Sequence, residues 1–158
     1  MMSNLDAFLA MIRASEGTDK YPDPYRVCFG GRHTIADLSD HPAATGEWKG
    51  EPLDSLGPNY KGLVSTAAGA YQIIRPTWAG CKLILRLADF SPASQDAAAT
   101  LLIKERGAFD LVNAGQIAEA IQKCATTWAS LPGGGSGQPQ HTVAQLLNWY
   151  GNSGGAYA

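Results

Sequence analysis

A glutamate stands in "RASEGTD", residues 13–19, directly before a glycine. Upstream, Leu5, Leu9 and Ile12 recur at i, i+4 and i+7, with Phe8 beside them, the spacing of one helix face. At about 100° per residue, Glu16 falls within the arc of Phe8, Leu9 and Ile12, while Asp6 and Arg13 fall outside it. A carboxyl group at the edge of an apolar surface loses the hydration that favours its anion. Its pKa rises, and it keeps a proton near neutrality. That is the property of a general acid, and cleavage of a glycosidic bond needs one to protonate the leaving oxygen. The spacing admits a plainer alternative, a glutamate that merely ends the helix and turns to solvent.

A second stretch, "VSTAAGAYQII" at 64–74, joins Ser65 and Thr66 to small residues and then to Tyr71 and Gln72. Small side chains let backbone approach a ligand, and a tyrosine face with a glutamine amide suits sugars, which have apolar faces and hydroxyl edges. An ordinary strand or turn leading into a helix explains the same residues. Other chemistries find less support. His33, His41 and His141 lack ligand spacing on a helix, and H-E-x-x-H is absent, so no metal is expected. The serine-nucleophile pattern G-x-S-x-G is also missing. Asp19, Asp23, Asp37 and Asp40 are read as turn and loop ligands of backbone rather than as a second catalytic carboxylate.

The elements that must carry these residues follow from periodicity and punctuation. A first helix is expected over about residues 3–15, with Ser3 as N-cap and Gly17 just past its end. From 17 to about 70, helical periodicity gives way to Pro22, Pro24, Pro42, Pro52 and Pro58 among many glycines. There "YRVCFGGRHTI" predicts a small hairpin turning at Gly30–Gly31. "TGEWKGEPLDSLGPNYKG" reads as a long loop. Helices return after about residue 75. One opens near Pro76 and carries Trp78, Cys81, Ile84 and Leu85. Another is capped by Ser91 and ends at Gly107. A third places Ile117, Ala120, Ile121, Cys124 and Trp128 on one stripe. After "LPGGGSGQPQ", a last helix presents Val143, Leu146, Leu147 and Tyr150 and ends at Gly151. Segregated strands and helices predict an α+β domain. Residues 1–158 are expected to form one domain, with 151–158 a flexible tail.

Composition narrows the classes further. The net charge of −2 gives no broad affinity for nucleic acid or an anionic membrane. Cys28, Cys81 and Cys124 are too few and too far apart for a disulfide framework, which fits synthesis in a reducing compartment. The N-terminus lacks the pattern of a secretory signal, and no segment approaches about 18 consecutive apolar residues. No membrane insertion is therefore expected.

"SEGTD", "SDHP" at 39–42, "STAAGAYQ" at 65–72, "FSPASQDA" at 90–97, "IKERGA" at 103–108 and "WASLPGGGSGQ" at 128–138 occur in this order. As a set they resemble the phage lambda endolysin family of peptidoglycan lytic transglycosylases, over nearly the whole chain to about residue 140. The resemblance implies a lysozyme-like fold, a helical lobe and a small β-containing lobe with a glycan cleft between them. It implies that Glu16 is the catalytic acid. Glu16 would protonate the leaving oxygen of the β-1,4 bond after N-acetylmuramic acid. It would then act as base on the C6 hydroxyl of that sugar, giving a 1,6-anhydro product without water. No cofactor is implied. The partners implied are peptidoglycan strands and a holin that permeabilises the inner membrane, so that a monomer held in the host cytoplasm reaches the periplasmic wall. A hydrolytic muramidase on the same fold is the alternative, as is a non-catalytic glycan-binding or phage structural protein.

Two departures from the family stand out. The stretch from Gly46 to Gly62 is longer than the corresponding loop, which forms one lip of the cleft. Trp48 and Tyr60 there either stack on sugar or pack the loop. In the opposite lip, Ser136 replaces an aromatic, leaving Gln138 as a polar contact.

Overall fold

A computed structural model describes residues 2–134 and 141–158. The chain forms two compact units, one built from residues 1–20 and 99–158, the other from residues 21–98.

The first unit is helical. Helix α1, Asn4–Glu16, opens on a reciprocal cap in which Ser3 Oγ accepts from the Asp6 amide and Asp6 accepts from the Ser3 amide. It closes on Gly17 at φ 79°, whose N–H returns to the carbonyls of Arg13 and Ala14. That left-handed cap is why glycine follows Glu16. Helices α5 (Phe109–Asn113), α6 (Ile117–Cys124) and α7 (Val143–Asn152) complete this unit, together with the C-terminal half of α4 (Pro92–Glu105). Phe8, Met11 and Ile12 of α1 are buried with Ile103, Val112, Ile121, Trp128, Leu146 and Tyr150. The stripe predicted on α6 is buried throughout, although the helix itself ends at Cys124 and Trp128 lies beyond it.

The last residues differ from the expected flexible tail. Ala156 N–H donates to Asn4 Oδ1 (3.0 Å), Ala158 N–H donates to Gly115 O (3.0 Å), and Tyr150 Oη donates to Ala156 O (2.8 Å). Tyr157 lies edge-on to Tyr150 at 5.4 Å and its hydroxyl reaches Leu147 O. Polar composition suggested looseness; long-range partners supply the order.

The second unit holds the β structure. The predicted hairpin is reduced to one bridge, Val27 to Thr34, closed by Gly30 and Gly31, both at positive φ. The two-stranded antiparallel sheet lies instead inside the stretch read as loop, β1 (Glu51–Pro52) against β2 (Val64–Ser65), with Glu51 opposite Ser65. Strands of two residues leave no alternation for a sequence pattern to register. Helices α2 (Pro42–Thr45) and α3 (Arg75–Leu85) and the start of α4 complete the unit. Its core sets Trp78 edge-on to Phe90 at 4.6 Å, with buried His41 also edge-on to Phe90 at 5.2 Å. His41 Nδ1 accepts from the Ala43 amide (3.1 Å), so Nε2–H donates to Ile73 O (2.9 Å). Burial depresses the pKa of His41 and keeps the ring neutral.

Buried Gln95 ties this unit together. Its amide nitrogen donates to Tyr25 O (3.0 Å) and Phe90 O (2.8 Å), and its oxygen accepts from Ala70 N–H (2.9 Å). A Cβ on Gly69, at φ +81°, would lie 2.3 Å from Gln95 Oε1. Within the small residues at 67–70, glycine at 69 is thus required by this amide.

Candidate functional site

Glu16 is the last residue of α1, half-buried, between buried Ser15 and the Gly17 cap. Thr18, also buried, donates its hydroxyl to Arg13 O (3.4 Å). Gly17 and Thr18 thus both return hydrogen bonds to the last turn and end the helix at this point. Burial lifts the Glu16 carboxyl from 4.5 to about 7, against a hydrogen bond from Ser130 that favours the anion. The negative end of the α1 dipole acts in the same direction as burial. Such a group is divided between acid and base forms at neutral pH.

Behind the carboxyl lies a polar chain that the sequence reading missed. Ser130 Oγ sits 2.7 Å from Ser15 Oγ. Ser130 has one hydroxyl hydrogen, so when it donates to Glu16 it accepts from Ser15. The imidazole of His141 donates from Nε2 to Ser15 O (3.0 Å), and the His141 amide donates to Ser130 O (3.2 Å). The ring of Trp149 meets His141 edge-on at 4.9 Å. Ser130 lies in "WASLP", one of the ordered motifs, and that was the only signal available for it. The sequence pattern presents His141 only as a potential metal ligand.

Six further candidates belong to the second unit. Ser65 Oγ accepts from Ala67 N–H (3.2 Å) and Thr66 Oγ1 accepts from Arg75 N–H (3.0 Å), so both hydroxyls shape the turn. Tyr71 is 1% exposed, which corrects the reading of its ring as a sugar platform. Its hydroxyl donates to Asp96 Oδ1 (2.5 Å), which also receives Tyr25 Oη (2.9 Å). Gln72 holds φ +50° and donates its amide to Gly69 O (2.9 Å) and Val27 O (3.2 Å), a clasp on local backbone. Trp48 is buried, 9% exposed. Tyr60 is half-buried. Ser136 and Gln138 lie outside the described residues.

The acidic residues are occupied as turn ligands for the most part. Asp23 caps the Pro24–Arg26 turn through Tyr25 N–H (3.1 Å) and pairs with Arg26. Asp37 accepts from Ser39 N–H (2.8 Å). Asp40 accepts from His41 N–H (2.8 Å) but also reaches Trp78 Nε1 (2.9 Å) and Lys82 Nζ (2.8 Å), partners the local reading did not foresee. Asp19 is exposed. A half-buried pair, His33 with Glu47 at 2.6 Å, fastens the Gly46–Gly62 stretch to the bridge, because Glu47 also accepts from the Ala36 and Asp37 amides.

Comparison with known proteins follows the same lines. A family model described as Endolysin matches residues 6–157. An endolysin of Escherichia phage P2 is 41% identical over 163 residues, covering 98% of this chain and 95% of that protein. An endolysin of Escherichia phage lambda is 42% identical over 154 residues, covering 94% and 90%. Among solved structures, bacteriophage lambda lysozyme complexed with a chitohexasaccharide superposes with a TM-score of 0.85 at 40% identity, over 98% of this chain and 96% of that one. A second structure of the lambda lysozyme gives 0.82 at 39% identity, with coverage of 98% and 96%. The small sheet among helices is thus the α+β, lysozyme-like arrangement.

Proposed function

We infer the function from one premise: this chain belongs to the endolysin family. It is an enzyme that cuts the glycan strands of peptidoglycan, acting as a single catalytic domain. The finer reading is a lytic transglycosylase with Glu16 as its acid and base. The observation that supports it is a half-buried carboxyl at a helix end with a pKa of about 7. The sugar hexamer bound by the lambda lysozyme supports the substrate class.

The steps follow from that one group. Protonated Glu16 gives its proton to the glycosidic oxygen as the C1–O bond of N-acetylmuramic acid breaks. The resulting carboxylate then takes the proton of the C6 hydroxyl, whose oxygen bonds to C1 and closes the 1,6-anhydro ring. Glu16 ends protonated, ready for the next bond. Intramolecular attack gains from proximity, since the nucleophile is already part of the substrate. A carboxyl with unequal affinity for its two forms would serve one step and hinder the other; a pKa near the working pH serves both. Ser130 donates to the anion and so stabilises it between the steps. The reaction calls on no cofactor. The protein works as a monomer, stays where it is made until a holin opens the inner membrane, and then meets the periplasmic wall.

Mass spectrometry of muropeptides released by the protein tests this reading. Anhydro ends, lighter by one water than reducing ends, are expected. Reducing ends would make the protein a hydrolase. Clearing of permeabilised Gram-negative cells by Glu16→Gln equal to that of the wild type would remove Glu16 as the acid.

A further inference from the structure

Helix α3 buries one side and leaves the other bare. Trp78 and Cys81 face the core. At about 100° per residue, Pro76, Ala79, Gly80, Leu83 and Ile84 fall on one continuous arc with no charge among them. All five are exposed, Leu83 at 81% and Ile84 at 62%. Ile74 and Leu85, at the two ends of the same helix, are exposed as well. Apolar residues scattered singly over a surface need no explanation, but a face of this kind does.

The border of that arc is cationic. Arg75, Lys82 and Arg86 follow one another along its edge and line a groove of about 480 Å³ together with Leu83 and Ala79. The one acid lining it, Asp40, is held by Lys82 Nζ and Trp78 Nε1. Among the described residues, neither Arg75 nor Arg86 has a carboxylate partner. Both arginines stand where the helix itself gains little from them. Arg75 is at the N-terminal end, where the dipole disfavours a cation. Arg86 occupies the left-handed cap at φ 53°, a position that favours glycine.

We propose that this face of α3 docks on an anionic phospholipid bilayer, with Arg75 and Arg86 on headgroup phosphates and Leu83 and Ile84 at the acyl boundary. Charge complementarity selects that occupant. A cation-edged apolar helix face matches the interfacial zone of a membrane, where both kinds of contact are available side by side. Guanidinium groups hold phosphate through paired hydrogen bonds. A second copy of the chain supplies no anionic border, because the acid lining this groove, Asp40, is already held by Lys82 and Trp78. The face is also small: an 11-residue helix is about 16 Å long and about 10 Å across. A stable protein interface needs about 800 Å² a side. The association is peripheral, for among the described residues no helix is long and apolar enough to cross a membrane. The overall charge of −2 supplies no general attraction, so the effect is local to this helix.

Co-sedimentation of the full chain with vesicles tests the proposal. Vesicles of phosphatidylcholine with phosphatidylglycerol are compared with vesicles of phosphatidylcholine alone, at low and high salt. Binding to the anionic vesicles alone is expected, weakening as salt screens the headgroups. Arg75→Gln and Arg86→Gln each lower the partition constant about fivefold, and Leu83→Ser lowers it about tenfold. Unchanged thermal unfolding and unchanged cleavage of isolated peptidoglycan show that these exposed positions leave the fold intact. Should the wild type ignore phosphatidylglycerol, or should the substituted proteins bind like it, the proposal fails. A concentration-dependent dimer abolished by Ile84→Ser would assign the face to self-association and overturn it as well.

Discussion

Glu16→Gln replaces a carboxyl by a neutral amide of nearly the same shape, and its effect on stability is as informative as its effect on activity. Burial lifts the carboxyl from 4.5 to about 7. The folded state therefore holds that proton more tightly than the unfolded chain. Below pH 4.5 both states are protonated and the site is neutral to stability. As the pH rises from 4.5 through about 7, the unfolded chain ionises freely while the folded one resists, and stability is lost. Above about 7 the full deficit remains. At 1.36 kcal/mol per pH unit, the displacement from 4.5 to about 7 corresponds to about 3 kcal/mol. Partial exposure of the side chain makes that an upper value. Glutamine carries no charge at any pH, so Glu16→Gln should melt like the wild type at pH 4 and exceed it by about 1–3 kcal/mol at pH 8. In a domain of this size each kcal/mol raises Tm by about 2–4 °C. Calorimetric scans of both proteins at the two pH values make the comparison, with turbidity clearing run in parallel. A stability difference that is the same at both pH values, or of opposite sign at pH 8, would refute the assignment of a dry, proton-retaining setting to Glu16.

Two further outcomes follow from the polar contacts. Ser130→Ala removes the hydrogen bond that favours the Glu16 anion, and a bond to a charged group is worth about 1.5–3 kcal/mol. The alkaline limb of the pH–activity profile should then move up by about one pH unit, whereas Ser15→Ala, which leaves the Ser130–Glu16 contact in place, should move it far less. Tyr71→Phe deletes a buried hydroxyl that donates to Asp96. Denaturant titration should show a loss of about 1–2 kcal/mol, with kcat/KM on peptidoglycan unchanged, since the ring is 1% exposed; a large fall in kcat/KM at unchanged stability would return Tyr71 to the sugar site.

Local chemistry made much of this legible. Ser3, Gly17 and Ser91 announced helix ends because caps are satisfied by neighbours a few residues away. The stripes on α1 and α6 announced the core of the first unit. Glu16 was readable because its dryness follows from the position of one carboxyl on one wheel. What escaped depended on distant partners. Tyr71 carries the same letter whether its ring faces sugar or a buried core, and only Asp96 and Tyr25, far along the chain, decide it. Ser130 and His141 come to Ser15, beside Glu16, from more than a hundred residues away, with no local pattern to mark them. The sheet of Glu51–Pro52 and Val64–Ser65 is too short to show alternation, and α5, with five residues, too short to show a helical period.

The unit that carries Glu16 is assembled from both ends of the chain: α1 stands in the first twenty residues, while Ser130, His141, α7 and the fastening of Ala156 to Asn4 all come after residue 99. On the ribosome, α1 emerges early and then waits. The residues that cover its apolar face and dry its terminal carboxyl in the folded unit lie after residue 99. The raised pKa of Glu16 is therefore a property of both ends of the chain together, and a fragment that stops before residue 99 is expected to carry a glutamate of ordinary acidity at this position.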